Sequence, residues 1–572
     1  MQNQRWVFIV LLIFTFYSTH YTSLFFFTLA SSSSTVLCSD IDRAALLGFK
    51  SKIISDTTGT LSTWVGKDCC NGEWEGIQCN PTTGRVMGLV LQGARNEDIA
   101  MYMKGTLSPS LSNLEFLEIM VITGMKQISG SIPESFSKLR HLNQLVLEDN
   151  SLGGTIPASF GQLSLLNTLS LSGNHLKGNI PPSIGTLQNL LQLNLAKNSL
   201  SGSVPPTFKT LKNLQYFDLS HNLLSGFVPG FIGGFKNLTF LDFSNNQFSG
   251  EFPSSLCYLP NLLDMSLSHN KLTGNIPIQI SNLKSLSSLS LSFNHFHGQI
   301  PEAISKLQNL WYFNVSSNNL SDPLPVSLKT KGIPSLLSLD LSYNNLHLGK
   351  IPDWILKSKF TDVHLAGCHL KGPLPKFLTP SSLNSIDFSD NQFSGGVSGF
   401  LLKMSSLQKL KLSNNLLKFN VSEVLRNSNR YLEVLDVSSN QITGGLPEFR
   451  SGLRLKSLSV SRNKISGRIP SSISALIELE KLDVSRNQIM GTIPPSLGEL
   501  VGLKWLDVSI NRLTGKIPDS LLRIENLRHA NFRANRLCGQ IPQGRPFNIF
   551  PAVAYAHNQC LCGKPLPPCK IK

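Results

Sequence analysis

A chain of 572 residues is too long for one ordinary globular core, which stops growing well below that length; it is either several domains or an array that grows in one dimension. Its 51 Lys plus Arg against 35 Asp plus Glu leave a formal charge of +16, which favours anionic partners: nucleic acid, an anionic membrane surface or an acidic polysaccharide.

At the N-terminus, Arg5 precedes an apolar run from Trp6 to Tyr17, and a second apolar stretch, "LFFFTLASSSS", ends in small residues suited to signal-peptidase cleavage. Residues 1–34 are therefore expected to be a signal peptide, cut somewhere in 30–34. The interrupting "STHYTS" leaves neither half with the ~20 apolar residues of a span. An uncleaved signal anchor is the alternative. After Ser34 no stretch is long and apolar enough to cross a bilayer, so the mature chain is expected to be extracellular, where disulfides persist and nucleic acid is not a partner.

Residues 35–84 follow as a cap. Cys38, Cys69, Cys70 and Cys79 surround "DRAALLGFKSKI", which predicts an amphipathic helix, and a tryptophan-rich turn, "LSTWVGKDCCNGEWEGIQC".

From 85 to 537 one phrase recurs, as in "LQYFDLSHNLLSGFVP" and "LTFLDFSNNQFSGEFP". Its Asn falls at 150, 174, 198, 222, 246, 270, 294 and 318, a step of 24, and continues through Asn344, Cys368 and Asn391 to Asn535. The period and the L-x-L-x-x-N core are those of leucine-rich repeats. Alternating leucines make a short strand with one face inward, and the Asn turns the chain while its amide satisfies buried backbone groups of neighbouring coils. One coil cannot bury that face alone, so the coils stack into an α/β solenoid with a concave parallel sheet. The "SGxIP" after each Asn resembles the plant-type extracellular repeat, which implies a second short strand beside the main sheet. The step of 26 from Asn318 to Asn344 is irregular, and the coil after Asn415 lacks the Gly-x-Ile-Pro phrase, so the second strand is expected to break there.

Cys538, Cys560, Cys562 and Cys569 form a second cap over 538–572, since an end coil exposes its apolar face. Four cysteines allow three pairings in each cap. The ends, "CSDIDRAALLGFKSKI…" and "NRLCGQIPQGRPFNIFPAVAYAHNQCLCGKPL", resemble secreted plant proteins related to polygalacturonase inhibitors, and the tail resembles the branch named after a DNA-damage-toleration clone. That resemblance implies sequential pairing: Cys38 with Cys69, Cys70 with Cys79, Cys538 with Cys560, and Cys562 with Cys569. Cys257 and Cys368 sit too many coils apart to bridge and are expected to be buried thiols. The bare Lys570 to Lys572 lead to the expectation that no anchor or kinase follows.

No nucleophile elbow, phosphate-binding Gly-rich loop, kinase signature or paired His-Glu metal helix appears, which argues against an enzyme or a cofactor. His364, Cys368 and His369 are metal-ligand types close in sequence, but the repeat already explains the cysteine. The remaining class is a recognition surface. Residues between the strand leucines face the concave side, and among them are Tyr216 and its neighbour Phe240, then Asp264 and Tyr312, with His221, His269, Phe293 and Tyr343 just before the Asn. Aromatics on a rigid sheet offer large contact area at low entropic cost. Further on, Lys456, Arg462, Lys481, Arg486, Lys504 and Arg528 form a basic stripe that an anionic partner would suit, unless Asp436, Asp483 and Asp507 neutralise it. Sequons at Asn237, Asn314, Asn319 and Asn420 fit secretion.

These features predict a secreted or cell-surface module that binds a protein or peptide in plant signalling or defence, alone or with a membrane receptor kinase. The alternatives are an inhibitor of a cell-wall-degrading enzyme such as polygalacturonase, or a structural binder of acidic pectin in the apoplast or wall.

Overall fold

The computed structural model describes residues 37–93, 101–401, 403–427 and 430–569. The leader expected over 1–34 and the tail from Lys570 to Lys572 lie outside the described residues.

Helix α1 (Asp40–Lys50) opens the cap and buries Ala45, Leu46 and Phe49, with Trp64 stacked on Trp74 at 5.6 Å beside them. Ile77–Cys79 pairs antiparallel with Val86–Gln92, and from there each coil adds one short strand, parallel and in register with the last, to His529–Asn531. Leucine, isoleucine and phenylalanine columns fill the space behind this sheet, with Leu193, Phe217 and Leu241 fully buried in successive coils. Opposite the sheet, most coils turn through a short 3-10 segment that follows a proline, such as Pro206–Thr210, and bury one apolar anchor, there Phe208.

The second strand forms as the resemblance implied. Leu223–Phe227, Gln247–Glu251 and Lys271–Thr273 pair in parallel beside the main sheet. Each repeat Asn is a bracket between coils. Asn222 Nδ2 donates to the carbonyls of Leu195 (2.9 Å), Leu219 (3.1 Å) and Ser220 (3.2 Å), while its Oδ1 accepts from the Leu200 amide at 2.9 Å. The preceding residue is held left-handed, φ 53° at His221, 52° at His269 and Phe293, and 53° at Ile510. That conformation is costly for a side chain with a Cβ and persists because the bonded coils on either side over-determine it.

The second ladder thins at the two irregular places. Toward the next coil Ser321 has only the isolated bridge to Asn345, and after Leu416–Leu417 the pairing falls to the isolated bridges Asn420–Thr443 and Gly445–Ser466, resuming at Met490–Thr492. In this stretch α-turns replace most of the 3-10 segments, all but Pro380–Ser382: α2 (Val326–Thr330), α3 (Asp353–Lys357), α4 (Ser398–Leu401) and α5 (Val421–Asn427).

All four disulfides have the implied partners, with Cα separations of 5.3, 5.6, 4.3 and 4.9 Å in chain order. Cys257 and Cys368 are free and buried. Cys368 occupies the Asn slot with Sγ 3.6 Å from the Leu341 and Ala366 carbonyls.

Candidate functional site

Because strand residues i and i+2 share a face, each concave strand presents two columns, set side by side by the parallel register. In the first column Tyr216, Phe240 and Asp264 are consecutive. The Tyr216 and Phe240 rings stack at 4.4 Å with planes 6° apart. On the rim, the left-handed turns hold His269 stacked on Phe293 at 4.2 Å, with Phe293 50% exposed. His221, two coils before His269, lies with its Nε2 3.3 Å from Asn245 Nδ2. These five aromatic or imidazole side chains and Asp264 share one stretch of the concave surface.

Tyr312 and Tyr343 lie farther along and are engaged differently. Tyr312 Oη accepts from Asn314 Nδ2 at 3.2 Å. The Tyr343 ring crosses over Gly367, where an added Cβ would come within 3.0 Å of it, and its hydroxyl donates to Asp390 two coils away at 2.7 Å.

The second column carries acids that the sequence reading passed over beside the aromatics. Asp218 and Asp242 face each other in register, and Tyr216 Oη donates to Asp218 Oδ2 at 3.2 Å. Each carboxylate also accepts the backbone amide two residues on, from Ser220 at 2.9 Å and Ser244 at 2.8 Å. Burial, followed by the charge of Asp218, pushes Asp242 up to about 7. Burial also raises Asp218, Asp264 and Glu148, the last bonded to the Ser170 hydroxyl and to Asn194 Nδ2 at 3.3 Å. Burial and the neighbouring Asp218 keep the Tyr216 phenol a protonated donor. His269 is lowered by burial and by His221.

The raised Asp242 has a consequence for stability. Between its ordinary 3.8 and about 7 the folded chain binds more protons than the unfolded chain, so this group's contribution falls as pH rises through that window. Asp242→Asn should leave the melting midpoint at pH of about 4.5 unchanged and raise it at about 7.5 by roughly 1–3 °C. Parallel pH profiles for variant and parent, followed by circular dichroism, would contradict this.

The basic stripe is partly neutralised, by different acids than the sequence suggested. Lys456 pairs with Glu433 at 3.2 Å and Lys504 with Glu480 at 2.8 Å. Asp436, Asp483 and Asp507 instead accept the amides of Ser438, Ser485 and Ser509 at 3.0, 3.0 and 2.9 Å. Arg462, Arg486 and Arg528 are exposed, and Lys481 lies 5.6 Å above the Trp505 ring, itself stacked on His529 at 3.7 Å.

His364, Cys368 and His369 do not converge. His364 pairs with Asp340 at 3.7 Å, whereas His369 stacks on His347 at 4.3 Å. Among the described residues the one close group of metal-ligand types is Cys38, Cys69 and Cys70, whose sulfurs are in disulfides. Asn237, Asn319 and Asn420 are exposed, while Asn314 lies half-buried in the sheet. Among the described residues no helix is long and apolar enough to cross a membrane.

Leucine-rich-repeat family models match this architecture: an N-terminal domain at 39–80, a repeat region at 98–226, seven single repeats between 237 and 524, and another at 428–445. DNA damage-repair/toleration protein DRT100 of Arabidopsis thaliana is 35% identical over 122 residues, 20% of this chain and 32% of that protein. Receptor-like protein 54 of the same plant is 30% identical over 171 residues, 26% of this chain and 21% of its own. The match thus spans a third or less of either relative. The ectodomain of the Arabidopsis thaliana receptor kinase GASSHO1/SCHENGEN3, solved with CASPARIAN STRIP INTEGRITY FACTOR 2, superposes with a TM-score of 0.70 at 30% identity, covering 90% of this chain and 61% of that one. The Arabidopsis receptor kinase HAESA, solved with the peptide hormone IDA and the co-receptor SERK1, gives 0.54 at 27% identity, covering 92% and 98%. With its stacked coils, its second ladder and its paired-cysteine caps, the chain belongs to the plant leucine-rich-repeat ectodomain family.

Proposed function

We propose that this protein is an extracellular recognition module that binds an extended peptide or protein segment on its concave sheet and co-assembles with a membrane receptor kinase. The observation that carries the reading is the stacked Tyr216–Phe240 pair, set beside Asp264 and above Asp218 and Asp242. A rigid aromatic platform next to partly desolvated carboxylates suits a peptide with an apolar side chain near a cationic one. That related ectodomains were solved with a peptide hormone and a co-receptor supports the class of ligand.

A random peptide display library panned against the secreted protein should yield binders. Tyr216→Ala and Phe240→Ala should each weaken them at least about tenfold in calorimetry. A library without specific binders, or binders indifferent to both variants, would overturn the reading. The exposed Arg462, Arg486 and Arg528 favour a second reading, an acidic wall polymer; salt-sensitive retention on de-esterified pectin, lost when these three are neutralised, is its test.

A further inference from the structure

The coil that carries the strand Ser288–Ser290 forms a trough in the concave sheet. The first column drops from Asp264 to Ser288 and rises again at Tyr312, in unbroken parallel register. The residue just ahead of each strand, polar in most coils as at Gln215, Glu433 and Lys504, repeats this profile with Leu263, Ser287 and Trp311. The backbone here is bonded coil to coil: the Ser287 amide donates to the Leu263 carbonyl at 2.8 Å and the Trp311 amide to the Ser287 carbonyl at 2.9 Å. Two small residues therefore make a fixed floor between two walls. One wall is Leu263, 45% exposed, with Asp264; the other is Trp311 with Tyr312, whose rings stand 5.7 Å apart and tilted by 55°.

The floor is polar in composition, but its hydroxyls are engaged. Ser287 Oγ donates to the Leu263 carbonyl at 3.0 Å, and the Ser288 hydroxyl faces the Asp264 carboxylate. An apolar side chain laid over them leaves both with their partners and avoids the cost of a stranded donor.

Spacing then sets what a ligand must carry. Strands in a sheet stand about 4.8 Å apart, and an extended chain rises about 3.3 Å per residue with alternate side chains on one face. From the midpoint of the Tyr216–Phe240 stack, Asp264 lies one and a half strand spacings away, about 7 Å, and the trough two and a half, about 12 Å. Residues i+2 and i+4 of an extended segment, about 6.6 and 13 Å along, match these separations and share the face of residue i.

We infer that the ligand of the concave sheet carries the pattern apolar-x-(Lys/Arg)-x-apolar in one extended stretch. Its first apolar side chain lies on the Tyr216–Phe240 stack, its cation at Asp264, and its second apolar side chain in the Ser287–Ser288 trough between Leu263 and Trp311. The pattern reads the same in both chain directions, so either orientation satisfies it. The inference rests on the reading of the sheet as a peptide-binding surface, and it adds Leu263, Ser288 and Trp311 to the side chains that select the ligand.

Peptides from a display library panned against the full secreted chain would be sequenced, and one that loses affinity with Tyr216→Ala would be synthesised for calorimetry. It is expected to carry the pattern. Trp311→Ala, Leu263→Ser and, by filling the trough, Ser288→Leu should each weaken this peptide about tenfold, as should alanine at its second apolar position. Trp311→Ala combined with that alanine should cost little more than either alone, because both remove one contact. One residue inserted between the cation and the second apolar side chain should cost as much, since it turns that side chain to the other face. Leu263→Ser and Ser288→Leu change side chains at the sheet surface and serve where Trp311→Ala is not secreted. Binders that need Tyr216 but ignore all three variants, or that tolerate the insertion, would overturn the inference and leave the aromatic-platform reading standing. A library without binders that need Tyr216 overturns both.

Discussion

Asn222→Ala should destabilise the solenoid by about 2–3 kcal/mol, a large effect for one side chain at the inner edge of a turn. The substitution removes bonds in two coils and strands one backbone amide. The Leu200 amide loses its acceptor, while the Leu195, Leu219 and Ser220 carbonyls each lose one donor and keep Asn198 Nδ2, Asn246 Nδ2 and the Lys197 amide respectively. Asn222 is 7% exposed, so water does not readily take the amide's place. Urea unfolding would read the loss as an earlier midpoint, and amide exchange should rise in the coils on both sides, because in a stacked array each coil is stabilised through its neighbours. A cost below about 1 kcal/mol would show that the leucine core alone sets the coil geometry. Cys368 is the natural counter-experiment. Its sulfur makes two long contacts to carbonyls but offers the Leu346 amide no carboxamide acceptor. Cys368→Asn should therefore stabilise the chain by about 1 kcal/mol.

The same residues show why so much of the fold was legible. A step of 24 places every Asn in one environment, so one coil understood is the array understood, and a failure of the phrase after Asn415 marks a failure of the ladder. The aromatic patch was legible in part, because Tyr216 and Phe240 occupy the same position in adjacent repeats. The acids beneath it were missed although their signal was present: Asp218 and Asp242 lie two residues beyond the two aromatics, hence on the same face. The partners of the basic stripe were not readable at all. Lys456 reaches back 23 residues to Glu433 and Lys504 reaches 24 to Glu480, a choice set by side-chain reach across coils, which the repeat pattern leaves open. Likewise the repeat predicts a turn before each Asn, but not that its residue is left-handed.

Arg85→Met should cost about 3–5 kcal/mol through a contact with no counterpart in the array. Asp42 of α1 is fully buried, and its two oxygens accept from Arg85 Nε and Nη2 at 3.0 Å each and from the Val86 amide at 2.8 Å. Arg85 immediately precedes the strand Val86–Gln92, so this fork ties the cap helix to the edge where the repeats begin. Methionine keeps much of the packing over Phe116, whose ring lies 4.3 Å from the guanidinium, but leaves a buried carboxylate with one amide for company. Replacing both partners, Asp42→Leu with Arg85→Met, should recover at least about 2 kcal/mol of that loss, since the cost lies in the unpaired charge more than in the missing pair. Urea titrations of the single and double variants would measure this difference. If the single and double variants are equally unstable, the fork contributes shape and not charge compensation, and the cap must be held by its tryptophans and disulfides.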